Sequence, residues 1–435
     1  MEGIKNRIGL PGKERIYIGI DLTDDFSQLS LCTGSEDPVT PGTADGEERL
    51  CIPTLLAKRY GESSWAYGEE ALKLSAENEA FPVDRLVERA RSGQGVEVEG
   101  MDYDPVDLLA LFIRKCLSRN SAQAPLEKVA AIVITVEEPD EQMIAILTQV
   151  VKTLRLKAER VFFQSHAESA YHFICHQPLD VRAADVCICD LRSTGMKVML
   201  FSENIQTKPH VVIMQDRHYP AFLPEEFAGV RNPEGKKNKK DQEFQQILTA
   251  NLDGRRVSAV FMLGDGFEGD WCKESLKYIC KGRRAFRGNN LFSKGACIGA
   301  REKLEPSEEE RGSVFLGQDK LKANIGMNVV REGEEAYMAL LDAGKNWYDT
   351  AKECELLLDA EDRLEFIVTP LNGKNVRKIP MFLQGIPKRK RRAVRVHLRI
   401  SMQSESKASV EVTDLGFGEF YPASGLQWES TFTIV

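Results

Sequence analysis

A carboxylate at the end of an otherwise apolar strand constrains this chain more than any other feature. Residues 16–31, IYIGIDLTDDFSQLSL, read as an apolar strand closed by Asp21, a polar turn from Thr23 to Ser27, and a second apolar strand. Alternation followed by turn formers predicts a β-hairpin that opens a buried sheet. A buried charge is costly unless something pairs with it, so Asp21 either caps the turn or faces a cation or bound ligand. The pattern returns in residues 185–201, DVCICDLRSTGMKVMLF, where Asp190 closes an apolar run before a small-residue turn. Two such hairpins predict duplicated halves that face each other.

At 435 residues the chain is too long for one core and divides into two or three domains. A net charge of −8 supplies no overall basic field, which argues against a nucleic-acid partner. No apolar run reaches the length of a membrane span and the N-terminus lacks a signal peptide's apolar core, so a cytoplasmic protein with no membrane partner is expected. The ten cysteines show no paired metal-ligand spacing. Cys187 and Cys189 read as two small apolar side chains on one strand face.

Taken in order, residues 1–14 read as a flexible leader and 34–48 as a polar loop. Residues 104–119 form a helix with an aspartate start, 129–136 a strand covered on both faces, and 139–154 an amphipathic helix. Residues 216–240 read as a polar loop ending in GKKNKK, a solvated charge run or a phosphate contact, before a helix at 241–251. Strand 257–263 leads into Gly264, Asp265 and Gly266. The glycines admit close backbone approach, and Asp265 either accepts from a ribose hydroxyl or caps a helix over 268–280. Arg283, Arg284 and Arg287 form a basic cluster that either steers an anion or makes surface ion pairs. Beyond a charged break at 305–311, short alternating runs at 321–332, 335–341, 354–359, 364–371, 378–384, 394–402 and 408–414, with turns such as Asn372-Gly373, predict a β-sandwich. The basic run 388–392 lacks interleaved aromatics and reads as a loop tip.

The motif IGIDLTDDFS resembles the first phosphate loop of the actin-like ATPase superfamily, most closely that of the seventy-kilodalton heat-shock chaperones. CDLRSTGMKV is similar to their second phosphate loop and VFMLGDGFEG to their adenosine segment. KGACIGA resembles the helix that ends their nucleotide domain, Val314, Phe315 and Leu316 their interdomain linker, and the C-terminal strands their substrate-binding β-domain. The run GDGFEG, RRxFxGxNL, KGAC also looks like a divergent bacterial family of unknown function.

The resemblance implies a duplicated, ribonuclease-H-like α/β nucleotide-binding fold over 15–304, with halves of about 15–184 and 185–304. A linker at 305–319 and an all-β sandwich at 320–435 without a helical lid would follow. It carries nucleotide contacts onto Asp21, Thr23, Asp24, Ser27, Asp190, Arg192, Ser193, Thr194, Gly195, Gly264, Asp265 and Gly266, with Asp21 and Asp190 toward magnesium and ATP or ADP as cofactor. The chain departs from the pattern at the chemistry. The chaperones' catalytic lysine falls on Asp84, the glutamate that places magnesium falls on Ser165 with Glu168 one turn on, and phosphate-loop glycines and threonines become Thr23, Asp24, Asp25 and Arg192–Thr194. Added carboxylates repel a triphosphate unless a metal intervenes. The expectation is therefore a chaperone-like protein with a weakly or non-hydrolysing nucleotide cleft and a β-domain for a peptide or protein partner. The alternatives are an ATPase with rearranged residues or an actin-like filament protein. The linker either couples the domains or is the first strand of the sandwich.

Overall fold

Each hairpin starts a mixed sheet in the computed structural model, because its apolar residues alternate over both faces of a strand that neighbours cover on either side. In the first sheet, Ile16–Asp21 pairs antiparallel with Phe26–Thr33 and parallel with Val129–Val136, setting Asp21 opposite Gln28 and beside Thr135. Val161–Ser165 extends this sheet in parallel, and Ile52–Pro53 closes its other edge. In the second, Asp185–Arg192 pairs antiparallel with Gly195–Asn204 and parallel with Val257–Leu263, with Arg284–Arg287 parallel beyond. The same order, two parallel strands, a central strand and its hairpin partner, occurs in both sheets. The structure describes residues 15–42, 50–157, 160–206, 210–225, 227, 232–308, 312–359, 362–371, 375–390 and 393–434. The leader at 1–14, the second part of the 34–48 loop, the Asn372-Gly373 turn, and parts of the 305–311 and 388–392 runs lie outside the described residues.

Helices Pro105–Arg119 and Glu141–Thr153 cover the first sheet. Asp104 caps one by accepting from the Val106 and Asp107 amides, and Asp140 caps the other through the Met143 amide. Leu109, Phe112, Leu147 and Val150 then bury against Ile18, Ile20 and Ile134. Helix Leu291–Glu302 crosses strand Ile16–Asp21 and helix His166–Cys175 at close range. A Cβ on Gly19 would lie 2.2 Å from the Cys297 amide nitrogen, and one on Gly295 1.8 Å from the Ser169 carbonyl oxygen.

Three expectations are corrected. The GKKNKK run is helical, within Pro233–Leu252, because Asn232 caps the Gly235 amide and Pro233 suits the first turn. The helix expected at 268–280 is shorter, Lys273–Ile279, and its Glu274 and Ser275 amides donate to Asp241 (2.7 and 2.9 Å) instead of Asp265. Ser313–Phe315 is not a sandwich strand. It pairs in parallel with His210–Val212 at the edge of the second sheet, where Phe315 is buried against Tyr171 and Phe201.

Contacts divide the chain into two compact units, Met1–Phe315 and Leu316–Val435. The second holds two four-stranded antiparallel sheets. One runs Glu334–Leu341, Ala323–Arg331, Arg363–Pro370, Arg377–Phe382, and the other Ala351–Leu358, Val394–Met402, Lys407–Asp414, Gln427–Thr433. Phe366 of one sheet meets Phe432 of the other with ring centroids 5.5 Å apart. Arg389, on the basic run, makes a bidentate bond to buried Asp414 at 2.7 Å for each contact. The chain is thus a mixed α/β protein, and among the described residues no helix is long and apolar enough to cross a membrane.

Candidate functional site

The two hairpin turns meet, and an arginine joins them. Arg192 stands two residues after Asp190 on one strand, so both side chains share a face. Its Nε donates to Asp190 Oδ1 and Oδ2 at 3.0 and 2.9 Å. One terminal nitrogen lies 3.6 Å from Asp21 Oδ2, and the other donates to Thr23 Oγ1 at 3.1 Å. Asp21 also accepts from His166 Nε2 at 2.8 Å. His166 is the first residue of a helix whose cap, Ser165, accepts from the Glu168 amide. Burial pushes the Asp21 carboxyl up, but His166 and Arg192 outweigh it and hold it below the usual carboxylate range. Burial acts to lower Arg192, and Asp190 and Asp21 raise it instead.

The other anticipated contacts are committed within the protein. Asp24 caps helix Leu86–Ser92, accepting from the Val87 and Glu88 amides at 2.8 and 3.2 Å. Burial raises its carboxyl against those two bonds. Asp25 accepts from Ser193 Oγ at 2.5 Å, a second bond between the turns. Ser27 shares a buried hydrogen bond with Thr54, and the Thr194 carbonyl lies 3.1 Å from His218 Nε2. Gly195 closes the second turn opposite Arg192. Gly264 has φ +90°, a conformation suited to glycine, and its amide donates to Asn289 Oδ1. A Cβ there would lie 2.2 Å from the Leu191 carbonyl oxygen, and one on Gly266 2.3 Å from Leu191 Cγ. These two glycines serve the packing of a turn on its own sheet.

The residues do not fit a magnesium triphosphate. Asp21 and Asp190, anticipated as metal-facing, share the Arg192 guanidinium. Among the described residues no cluster of three or more His, Cys, Asp or Glu side chains is disposed to hold a metal ion. Asp84 is an exposed partner of Arg89, and Arg284 and Arg287 are spent on Asp180 and the Gly269 carbonyl.

Beside the arginine lies a cavity of about 700 Å³, lined by Asp21, Asp25, Glu69, Asp265 and Glu268 together with Phe26, Gln28, Cys51 and Asn289, with Arg192 as its lining cation. Asp265 is raised by burial and by the charge on Asp25. Sequence reasoning missed His166, Gln28 and Asn289. Only the pairing of Gln28 with Asp21 in the hairpin register could have been anticipated, since the other two reach the site from distant segments.

Fold and cleft together define a mixed α/β protein built on two like sheets with an internally ion-paired cleft. The family is narrower. Residues 37–318 match the C-terminal part of a family of unknown function, DUF5716, and the chain belongs to that family. Residues 320–434 match a domain of unknown function, DUF8552. No curated protein matches the chain.

Proposed function

We propose that the first unit is a duplicated actin-like fold of the kind found in seventy-kilodalton heat-shock chaperones, that it does not hydrolyse ATP, and that the chain works by holding a peptide or protein partner on a sandwich formed by its second unit. The repeated strand order of the two sheets supports the fold. The observation that carries the loss of hydrolysis is Arg192 between Asp21 and Asp190. A guanidinium fixed there supplies the positive charge that a divalent ion would bring, but it has no open coordination position for a water or a phosphate oxygen. The strand Ser313–Phe315 agrees with this reading. In the resembled chaperones the apolar linker docks according to nucleotide state, whereas here its counterpart is an edge strand of the second sheet, paired with His210–Val212 and packed on Tyr171 and Phe201.

Calorimetry and a phosphate-release assay on the full chain with ATP and ADP, with and without magnesium, test the proposal. The expected result is no turnover and no magnesium-dependent binding. Turnover that disappears in Asp21→Asn and Asp190→Asn variants would overturn it.

A further inference from the structure

The acid-lined cavity does not suit an anion, yet it contains an unfinished hydrogen-bonding arrangement. Gln28 lies on the hairpin strand opposite Asp21 and is 3% exposed. Its Nε2 donates to Cys51 Sγ at 2.9 Å, and both residues line the cavity. Among the described residues its Oε1 has no hydrogen-bond partner. A buried amide oxygen without a donor is unfavourable in a folded protein, and this one belongs to a residue that lines the cavity.

The rest of the lining asks for the same chemistry. Asp25, Glu69, Asp265 and Glu268 present carboxylates to one space, while Arg192 is already shared by Asp190, Asp21 and Thr23. A recess lined by one sign of charge concentrates the opposite sign. Burial and the neighbouring Asp25 raise the Asp265 carboxyl against the opposing charge of Arg192, so a further positive charge beside it would favour its ionised form. The Phe26 and Leu50 side chains add apolar surface. The space suits a molecule of small-metabolite size.

We propose that this cavity binds a small organic cation, a molecule carrying a protonated amine or guanidinium on a short carbon frame, with Gln28 Oε1 and the carboxylates of Asp265 and Glu268 as acceptors. A polyphosphate would meet these carboxylates and be repelled. The proposal stands on the cavity alone and holds whether or not the second unit carries a peptide.

The test is calorimetry and thermal-shift measurement on the full chain with agmatine, putrescine and spermidine as probes, 1,4-butanediol as the uncharged control, and ATP as the anion. Ionic strength is set to about 0.15 M so that exposed acidic surface contributes little. At least one amine should bind with one-to-one stoichiometry, and butanediol and ATP should not. Asp265→Asn and Glu268→Gln should each weaken that amine about tenfold, and Gln28→Leu should weaken it while circular dichroism and melting show a folded chain. Failure of all three amines to bind would overturn the proposal. So would equal affinity in the Asp265→Asn/Glu268→Gln double variant, which would mark charge attraction elsewhere on the surface. ATP hydrolysis without amine binding would defeat both proposals, whereas absent amine binding with no hydrolysis defeats this one alone.

Discussion

Replacing Arg192 by glycine, the residue type of the resembled phosphate loop, tests the central geometry. The substitution removes both Nε bonds to Asp190, the 3.6 Å contact with Asp21 and the bond to Thr23. The side chains of Asp190 and Asp21 are only 8% and 2% exposed, so each carboxylate loses its partner in a largely desolvated place. Breaking a buried pair from one side costs about 3–5 kcal/mol. The low end applies, about 3 kcal/mol, because Asp21 keeps His166 and the Arg192 side chain is 19% exposed. For a unit the size of Met1–Phe315 that corresponds to a fall in Tm of roughly 5 °C. The sign with pH follows from the same charges. In the native chain Asp21 is held low, so its contribution is present above the unfolded carboxylate value and is lost as pH falls through the folded one. In the variant Asp21 loses one of the two cations that offset its burial, so its carboxyl is held less low and this pH-dependent contribution shrinks. Melting curves by circular dichroism from pH 7 to 4 should therefore show the gap between the two proteins narrowing. Millimolar magnesium should raise the variant's Tm and leave the native protein unchanged. A gap below about 1 kcal/mol at pH 7, or one that does not change with pH, would refute the assignment of Arg192 as the counter-ion of this pair.

Gly295→Val should prevent folding or lower Tm by more than any surface substitution, because even a Cβ would overlap the Ser169 carbonyl; a stable Gly295→Val protein would show that the helix crossing is loose. Burial pushes the Lys240 ammonium down to about 8, partly offset by the charge of Glu225, and its Nζ lies 4.7 Å from the centre of the Trp271 ring. The unfolded chain then binds the extra proton between pH 8 and about 10.4, so stability attributable to this group rises with pH across that window, and Lys240→Met should remove the rise in melts from pH 7 to 10. Arg389→Met should destabilise the second unit by about 3 kcal/mol in denaturant titrations, through the loss of a bidentate partner from buried Asp414. Backbone hydrogen exchange at 313–315 should be the same with and without saturating ATP, and nucleotide-dependent protection there would restore an active chaperone.

The hairpins, the helices capped by Asp104 and Asp140, and most of the C-terminal strands were legible because each is a local pattern: alternation, a turn, a cap. The strand Gln427–Thr433 was not, since its residues alternate only between exposed and half-buried and give no apolar face to read. The helical GKKNKK run was hidden for a related reason. Its charges mask the apolar period, and the Asn-Pro start is the local sign that remains.

The site was legible as a position but not as chemistry. Asp21, Asp190, Gly264 and Gly266 do converge, yet residue type alone cannot say what satisfies a buried carboxylate or what a glycine admits. Asp21 is satisfied by His166, 145 residues away in sequence, and by an arginine from the other hairpin. The glycines admit Leu191. One local sign was present, because Asp190 and Arg192 at i and i+2 on a strand must share a face, and an arginine there can neutralise the carboxylate before any ion does. Once that pair forms, Thr23 and Asp21 are drawn into it and Ser193 reaches Asp25, so the turns bind each other. Binding energy that an open cleft would offer to a ligand is then spent within the protein, and the capacity left over lies beside the arginine, where Gln28, Asp265 and Glu268 still face open space.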